Sequence, residues 1–468
     1  MSSTAINSAS TGVNVASTGI TMSNPLSGSG IDVSSVVSQL EAGERAPETN
    51  LENQQSTIQT QESDLGTINS DLSALLTSVQ SLTDFTGALE SNSATSSDSS
   101  VLSATATSAA AVGNHTITVA NLATTGSWYS NELADSTSAT FTPGNLTLTI
   151  GATSTSAGTS TTLTFDSSDD TLSTAARYIN SQKLGVTASV ITDSGGARLA
   201  LVSNQSGKAG DISVTSSPTG LSFTQGTQGK DAQLTVDGVP IDSASNSVTG
   251  AIPGVTLNLA SADPGSSVQL SVAPDSDSMT SAVNWFVGAY NQAIGDINAQ
   301  FTYNTTTQTQ GPLASDGTLA AVQSQLLEMM TNTVNGNASF SSLADLGITM
   351  NDDGTLSVDN TTLDNAAQNK ASDLQQFMQA SNGFATTLQR SLTTLTKPTT
   401  GALTVDTNNL KRTYTDLQNQ INDIETQITS QHSNLVQQYS ALNALLEDYP
   451  AQLQQIDSEL GLNTSSSS

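Results

Sequence analysis

Residues 47–89 read PETNLENQQSTIQTQESDLGTINSDLSALLTSVQSLTDFTGAL, and this stretch decides the fold. Apolar residues recur at every seventh position, at Leu51, Ile58, Leu65, Leu72 and Val79. A second series follows three positions later, at Ile68, Leu75, Leu82 and Leu89. An a/d heptad pattern sustained over about five heptads is typical of a long helix whose apolar stripe is buried against other helices. Pro47 and Glu48 suit the first turn of that helix.

A second heptad pattern lies near the other end of the chain. One series is Tyr414, Ile421, Ile428, Leu435, Leu442 and Tyr449. The other is Leu410, Leu417, Ile424 and Leu445, with Gln431 and Gln438 in its gap. The first helix runs from the N-terminal region toward the middle of the chain, and the second runs from the middle toward the C-terminal region. We therefore predict that the two helices pair antiparallel. We expect Pro450 to end the second helix.

These two helices define a candidate oligomer seam. Its residues are Leu51, Ile58, Leu65, Leu72, Val79, Leu410, Leu417, Ile421, Ile424, Ile428, Leu435 and Leu442. A hairpin within one chain explains a single seam. The d positions include Gln54 and Gln61 in the first helix and Gln431 and Gln438 in the second. These polar d positions favour further helices from other subunits, so the sequence predicts a homo-oligomer.

The middle of the chain predicts strands. Residues 101–122 are expected to form two strands about a Gly113-Asn114 turn, and 231–272 a compact meander. A helix with Leu172 and Ile179 on its apolar face precedes two strands joined at 193–196. The predicted fold class is therefore α+β multidomain, with terminal α-helical coiled-coil legs, a helical domain and nested β-rich head domains.

The pattern changes along the chain predict the domain organisation. The segments are 1–30, disordered; 31–92, N-terminal leg helices; 93–122 with 228–277, a β-rich head domain; 123–227, an inserted α+β head domain; 278–400, a helical domain packing on the legs; and 401–468, the C-terminal leg and polar tail.

Composition excludes several classes of function. With 11 basic against 41 acidic residues, the net charge of -30 disfavours nucleic acid and anionic membranes as partners. The absence of cysteine excludes disulfides, thiolate metal sites and cysteine nucleophiles. The first 30 residues have neither the basic nor the apolar region of a Sec signal, and no run is long enough for membrane insertion.

No motif predicts catalysis, a metal or a cofactor. His115 and His432 lie far apart in the sequence, and a solvent-facing role is expected for both. Residues 351–354 (NDDG) have a superficial likeness to a calcium loop, but a hairpin turn explains them better. We therefore predict that the protein is not an enzyme.

Four motifs in order resemble a known family. They are GIDVSSVVSQLEAGERAP (30–47), the TLSTAARYIN…LALVS segment (171–203) centred on Ile179 and Asn180, DAQLTVDGVPIDSASNSVTGAIPGVTLNL (231–259), and FVGAYN (286–291) with LADLGITMNDDGTLSVD (343–359). The chain resembles flagellar hook-associated protein 2, the filament-capping family, over nearly its whole length. The interruption at Asp448-Tyr449-Pro450 departs from the family's usual C-terminus.

The resemblance implies a ring-like cap of several copies at the tip of the extracellular flagellum. Its legs would insert among flagellin or hook-filament junction subunits, and its head domains would form a plate. It also implies export by the flagellar type III system through the disordered N-terminal segment, with a flagellar export chaperone holding the C-terminal helices.

Two alternative functions stay open from the sequence. The inserted domain 123–227 could act as a surface adhesin, although no lectin-like site is apparent. The chain could also be another axial protein, either a junction protein or a flagellin.

Overall fold

A computed structural model describes residues 33–153, 157–305 and 308–459. The disorder expected for residues 1–30 lies outside these residues. The helices are α1 (Val33–Glu44), α2 (Ala46–Thr83), α3 (Leu172–Ser181), α4 (Ser276–Phe301), α5 (Gly317–Met330), α6 (Asn360–Asn369), α7 (Ala371–Gln379), α8 (Phe384–Leu395) and α9 (Ala402–Glu459).

The strands alternate with these helices in the middle of the chain. They are β1 (Asn92–Ser96), β2 (Leu102–Ala106), β3 (Gly113–Asn121), β4 (Thr125–Ser130), β5 (Asn145–Ile150), β6 (Thr159–Thr164), β7 (Val186–Thr192), β8 (Ala197–Ser206), β9 (Ile212–Ser216), β10 (Phe223–Thr227), β11 (Ala232–Val236), β12 (Val239–Ser243), β13 (Ser247–Ile252), β14 (Val255–Leu259), β15 (Asp263–Pro274), β16 (Tyr303–Asn304), β17 (Thr309–Gln310), β18 (Ile348–Met350) and β19 (Leu356–Val358).

The chain divides into two compact units. The terminal unit draws on Met1–Leu72, Gly295–Gln325 and Thr394–Ser468, and the central unit on Ser73–Ile294 and Leu326–Thr393. Long helices dominate the terminal unit, whereas antiparallel sheets and shorter helices build the central unit. The predicted α+β multidomain class is confirmed.

One hydrophobic core of the central unit lies between two antiparallel sheets. The five-stranded sheet has the order β1-β15-β3-β11-β12, and the three-stranded sheet β13-β14-β2. Ile117, Leu234, Leu257 and Leu270 are among the buried side chains of this core. Alternating burial along β11 and β14 leaves Gln233 and Asn258 in solvent, as expected for strands with one covered face.

A second core gathers residues 141–221 around α3. Leu172 and Ile179 point into it, and a capping box between Thr171 and Thr174 starts the helix. The Asn180 amide donates to Ala188 O and accepts from Ala188 N, both at 2.8 Å. Ile179 therefore anchors α3 in the core and Asn180 ties the end of α3 to β7, which explains why these two residues occur side by side.

The FVGAYN and LADLGITMNDDGTLSVD motifs meet in the central unit. The Tyr290 hydroxyl donates to Gly354 O at 3.0 Å, and Asn291 exchanges two hydrogen bonds with the Leu356 backbone. Burial raises the pKa of Tyr290 to about 12, so its hydroxyl keeps its proton. Strands β18 and β19 pair around residues 351–355, which confirms the hairpin that the sequence predicted there.

Three predictions of local structure are wrong. Residues 231–272 do not form one meander, because β11, β12 and β15 belong to the five-stranded sheet whereas β13 and β14 belong to the three-stranded sheet. Gly113 and Asn114 lie inside β3, paired with β15, because residues 107–112 already provide the connection from β2. Helix α9 continues from Ala402 to Glu459 and so passes through Pro450. A proline removes one helical hydrogen bond and crowds the preceding turn, but the helix continues when the flanking turns keep theirs.

Membrane insertion was not expected from the sequence. Within residues 33–153, 157–305 and 308–459, no helix combines the length and the apolar character that crossing a bilayer requires.

Candidate functional site

The terminal unit brings the two ends of the chain together as antiparallel helices. Helix α1 packs against α9. With the Gln431 amide nitrogen turned toward Glu44, it donates to Glu44 Oε1 at 3.0 Å. Farther along the chain, Gln55 of α2 donates to Gln418 Oε1 at 3.0 Å. The α1–α2 positions rise from 44 to 55 while the α9 positions fall from 431 to 418, so the predicted antiparallel pairing is confirmed.

The predicted seam residues differ in burial. The buried ones are Leu65, Leu72, Val79, Leu417, Ile421 and Ile428. Those of intermediate exposure are Leu51, Ile58, Leu410, Ile424 and Leu435, while Leu442 is 42% exposed. Val79 belongs to the central unit and the other residues to the terminal unit. The role of this set as an oligomer seam stays a prediction.

Polar contacts interrupt the apolar seam on α2. The heptad pattern places Gln54 at a d position, yet Gln54 is exposed and Gln55 is buried. Gln55 donates to Tyr414 O as well as to Gln418, and Gln59 donates to the Tyr414 hydroxyl at 3.0 Å. At this end of the bundle, amide hydrogen bonds join α2 to α9 beside the buried side chains of Leu417 and Ile421.

An exposed apolar stripe runs along the C-terminal part of α9. Leu442, Leu445, Tyr449, Leu453 and Ile456 are 42%, 69%, 60%, 45% and 49% exposed. Their spacing of three or four residues places all five on one helical face. The predicted helix end at Pro450 would have separated Leu453 and Ile456 from this stripe, but α9 continues through Pro450. A contiguous apolar face of this kind marks an interaction surface.

In the part of the chain that the structure describes, no cluster of three or more His, Cys, Asp or Glu side chains could hold a metal ion. His115 Nδ1 lies 2.8 Å from Asp237 Oδ2, and Asp237 Oδ1 accepts from Thr116 N. This contact, which the sequence did not predict, fixes the β11–β12 turn against β3. The apolar stripe and the helix seam are therefore the candidate functional site.

Comparisons with known sequences identify the family. Family models described as "Flagellar hook-associated protein 2 C-terminus" and "Flagellar hook-associated protein 2 N-terminus" match residues 229–451 and 29–126. The chain belongs to the flagellar hook-associated protein 2 family. A third model, "Flagellin hook IN motif", matches residues 145–205, around α3 and the Ile179-Asn180 pair. The resemblance on which the sequence analysis relied is confirmed.

Curated relatives match most of the chain. The B-type flagellar hook-associated protein 2 of Pseudomonas aeruginosa is 32% identical over 323 residues, covering 62% of this chain and 67% of the relative. The flagellar hook-associated protein 2 of Escherichia coli is 29% identical over 414 residues, covering 82% and 86%.

A solved structure supports the fold of this family member. The crystal structure of the D1-D2-D3 domains of the flagellar cap protein FliD from Escherichia coli aligns with a TM-score of 0.58 at 28% identity. The alignment covers 74% of this chain and 99% of that chain.

Proposed function

We propose that this chain is the distal cap of a bacterial flagellar filament. The observation that carries the proposal is its membership of the hook-associated protein 2 family, together with its likeness to a flagellar cap protein along most of its length. The role is structural, which agrees with the non-enzymatic function expected from the sequence. The relatives named above favour the cap over an adhesin, a junction protein or a flagellin.

The apolar stripe on α9 is the proposed contact with other subunits of the assembly. Five large apolar side chains on one helical face are exposed to solvent. Covering this face with another subunit removes apolar surface from water, which is favourable. Copies of this chain, flagellin ends and junction proteins would cover the stripe in the filament. Before export, a flagellar chaperone would do so.

The amide contacts of the seam suit a cap that must move. A filament grows by adding subunits beneath its cap, so the helices at the tip must release and rebind. Neutral hydrogen bonds such as Gln55–Gln418 each contribute only about 1 kcal/mol, less than the burial of a leucine pair. The predicted result is a cap that promotes polymerisation of exported flagellin and prevents its loss.

Complementation tests this function. In a bacterium that lacks its own cap protein and makes the matching flagellin, this chain should restore filaments and be located at their tips by immunogold electron microscopy. A secreted, folded protein that leaves all flagellin monomeric in the medium would contradict the proposal.

Paired variants test the α9 stripe within the same assay. Leu442→Asp, Leu445→Asp and Leu453→Asp together place three charges on the stripe, and we expect secretion without capping. The matched control is Ser440→Asp, Ala444→Asp and Ala451→Asp, which puts the same charges on exposed positions of the opposite face. The control should still cap. Equal capping by both variants would remove the stripe from the assembly.

A further inference from the structure

Two pairs of carboxyl groups face each other inside the terminal unit. Asp71 of α2 lies within hydrogen-bonding reach of Asp296 of α4, and Asp406 of α9 lies within such reach of Asp316, which precedes α5. Asp296 and Asp316 both belong to the Gly295–Gln325 stretch. Each pair thus joins this stretch to one of the two long helices.

Asp316 already serves as a hydrogen-bond acceptor at the start of α5. Asp316 Oδ1 accepts hydrogen bonds from Thr318 N at 2.8 Å and Leu319 N at 3.0 Å, in the first turn of that helix. Asp406 Oδ2 has no partner, so we assign the proton that joins this pair to Asp406.

Each pair also contains an oxygen that needs a donor. Asp71 Oδ2 and Asp406 Oδ2 are both buried from solvent and have no hydrogen-bond partner. A buried acceptor without a donor destabilises the folded state. A proton between the two carboxyls supplies the missing donor and removes the repulsion of like charges.

We propose that these two carboxyl pairs are proton-binding sites that fasten the Gly295–Gln325 stretch to α2 and α9. In mildly acidic solution each pair holds one proton and forms a hydrogen bond across the contact. In neutral solution each pair carries two negative charges and weakens the contact. The terminal unit is thereby more stable in acid than at neutral pH.

The electrostatic surroundings support this direction. Burial raises the pKa of Asp71 to about 6, and the Asp296 carboxyl adds to the rise. Burial likewise raises the pKa of Asp406 to about 6, with Asp316 adding to it. Over the described residues, Asp296 and Asp316 are the titratable groups that act on these two side chains, and no Lys, Arg or His offsets them.

The stability change follows from these raised values. A carboxyl whose pKa rises on folding binds its proton more tightly in the folded state, so its contribution to stability is full below the unfolded value. That contribution falls as pH rises through about 6.

The test compares the full-length protein with the Asp71→Asn/Asp406→Asn variant. An asparagine keeps the shape and supplies a permanent N–H donor to the partner carboxylate. Potentiometric titration of the folded proteins should show about two more protons taken up by the unmodified chain, with midpoints near 6. Hydrogen exchange in Gly295–Gln325 should slow severalfold between pH 7.5 and 5 in the unmodified chain, after correction for intrinsic rates. The variant should show no such change.

Two further proteins make the result decisive. Asp423→Asn removes an exposed carboxylate of α9 that belongs to neither pair. This variant should keep the pH response. Asp296→Asn/Asp316→Asn breaks both pairs from the other side and should abolish it, even if the first variant folds poorly. Identical proton uptake near pH 6 and identical exchange in the unmodified chain and in both double variants would overturn the proposal.

Discussion

Three capped aspartates of the central unit contrast with two paired aspartates of the terminal unit. In the central unit, Asp84, Asp98 and Asp166 each accept hydrogen bonds from the backbone N–H and the hydroxyl of the Thr or Ser two residues later. These bonds lower the pKa of each carboxyl. In the terminal unit, Asp71 and Asp406 are instead buried against other carboxyls, and their pKa values rise.

This difference predicts opposite responses to acid. A carboxyl whose pKa is lowered on folding stabilises the folded state above its ordinary pKa, and this stability is lost as pH falls. A carboxyl whose pKa is raised stabilises the folded state only in acid. Mild acidification should therefore tighten the terminal unit, while stronger acid weakens the central unit.

The units also differ in their cores. Within the described residues, every buried aromatic side chain lies in the central unit, and these are Phe141, Phe165, Phe286, Tyr290, Phe340, Phe377 and Phe384. The terminal unit relies on aliphatic residues and amide hydrogen bonds. The described core of the central unit is therefore partly aromatic, whereas that of the terminal unit is aliphatic.

Breaking an aromatic contact of the central unit should have the largest effect. Phe377 is fully buried, stacks on Phe384 with ring centroids 5.9 Å apart, and meets Phe340 edge-on. Phe377→Ala should lower the free energy of unfolding of this unit by about 3–5 kcal/mol, because it leaves a cavity. Urea unfolding followed by tryptophan fluorescence measures this, since Trp128 and Trp285 both belong to the central unit.

An exposed phenylalanine serves as the control for that measurement. Phe85 is 75% exposed, so Phe85→Ala should change the same free energy by less than about 0.5 kcal/mol. Equal losses in both variants would show that the aromatic cluster does not determine the stability of the central unit.

A smaller effect is expected where amides join the terminal helices. Gln55→Ala removes the donor to Tyr414 O and Gln418 Oε1, and should cost about 1 kcal/mol. Amide exchange of α9 near residues 414–418 should accelerate accordingly. Gln54→Ala is the matched control, because Gln54 is exposed and the heptad pattern had placed it in the seam. A larger loss of stability from Gln54→Ala than from Gln55→Ala would indicate that Gln54 faces α9, as the heptad pattern predicts.

The sequence could predict features that depend on nearby residues or on periodicity. The heptads predicted α2 and α9, and the 351–354 turn predicted the β18–β19 hairpin. The carboxyl pairs could not be predicted, because Asp71 and Asp296 are far apart in the chain and no local pattern links them. The heptad pattern did not identify Gln55 as the buried residue. Whether Gln54 or Gln55 faces α9 depends on how the two helices pack, which the sequence pattern does not determine. Local propensity alone predicts a helix end at Pro450, whereas α9 continues through it to Glu459.

The smallest effect is expected from one capped turn of the central unit in acid. Asp135 accepts hydrogen bonds from Ser138 and Thr137, led by the Ser138 hydroxyl at 2.6 Å, and these lower its pKa to about 2. The stability that this carboxylate supplies is present above its ordinary pKa and is lost as pH falls through about 2. Asp135→Asn should therefore flatten part of the pH dependence of tryptophan-monitored unfolding between pH 5 and pH 2, while leaving exchange in the terminal unit unchanged. If the variant instead altered the response of Gly295–Gln325 near pH 6, the two units would not titrate independently, and the contrast between capped and paired carboxyls would fail.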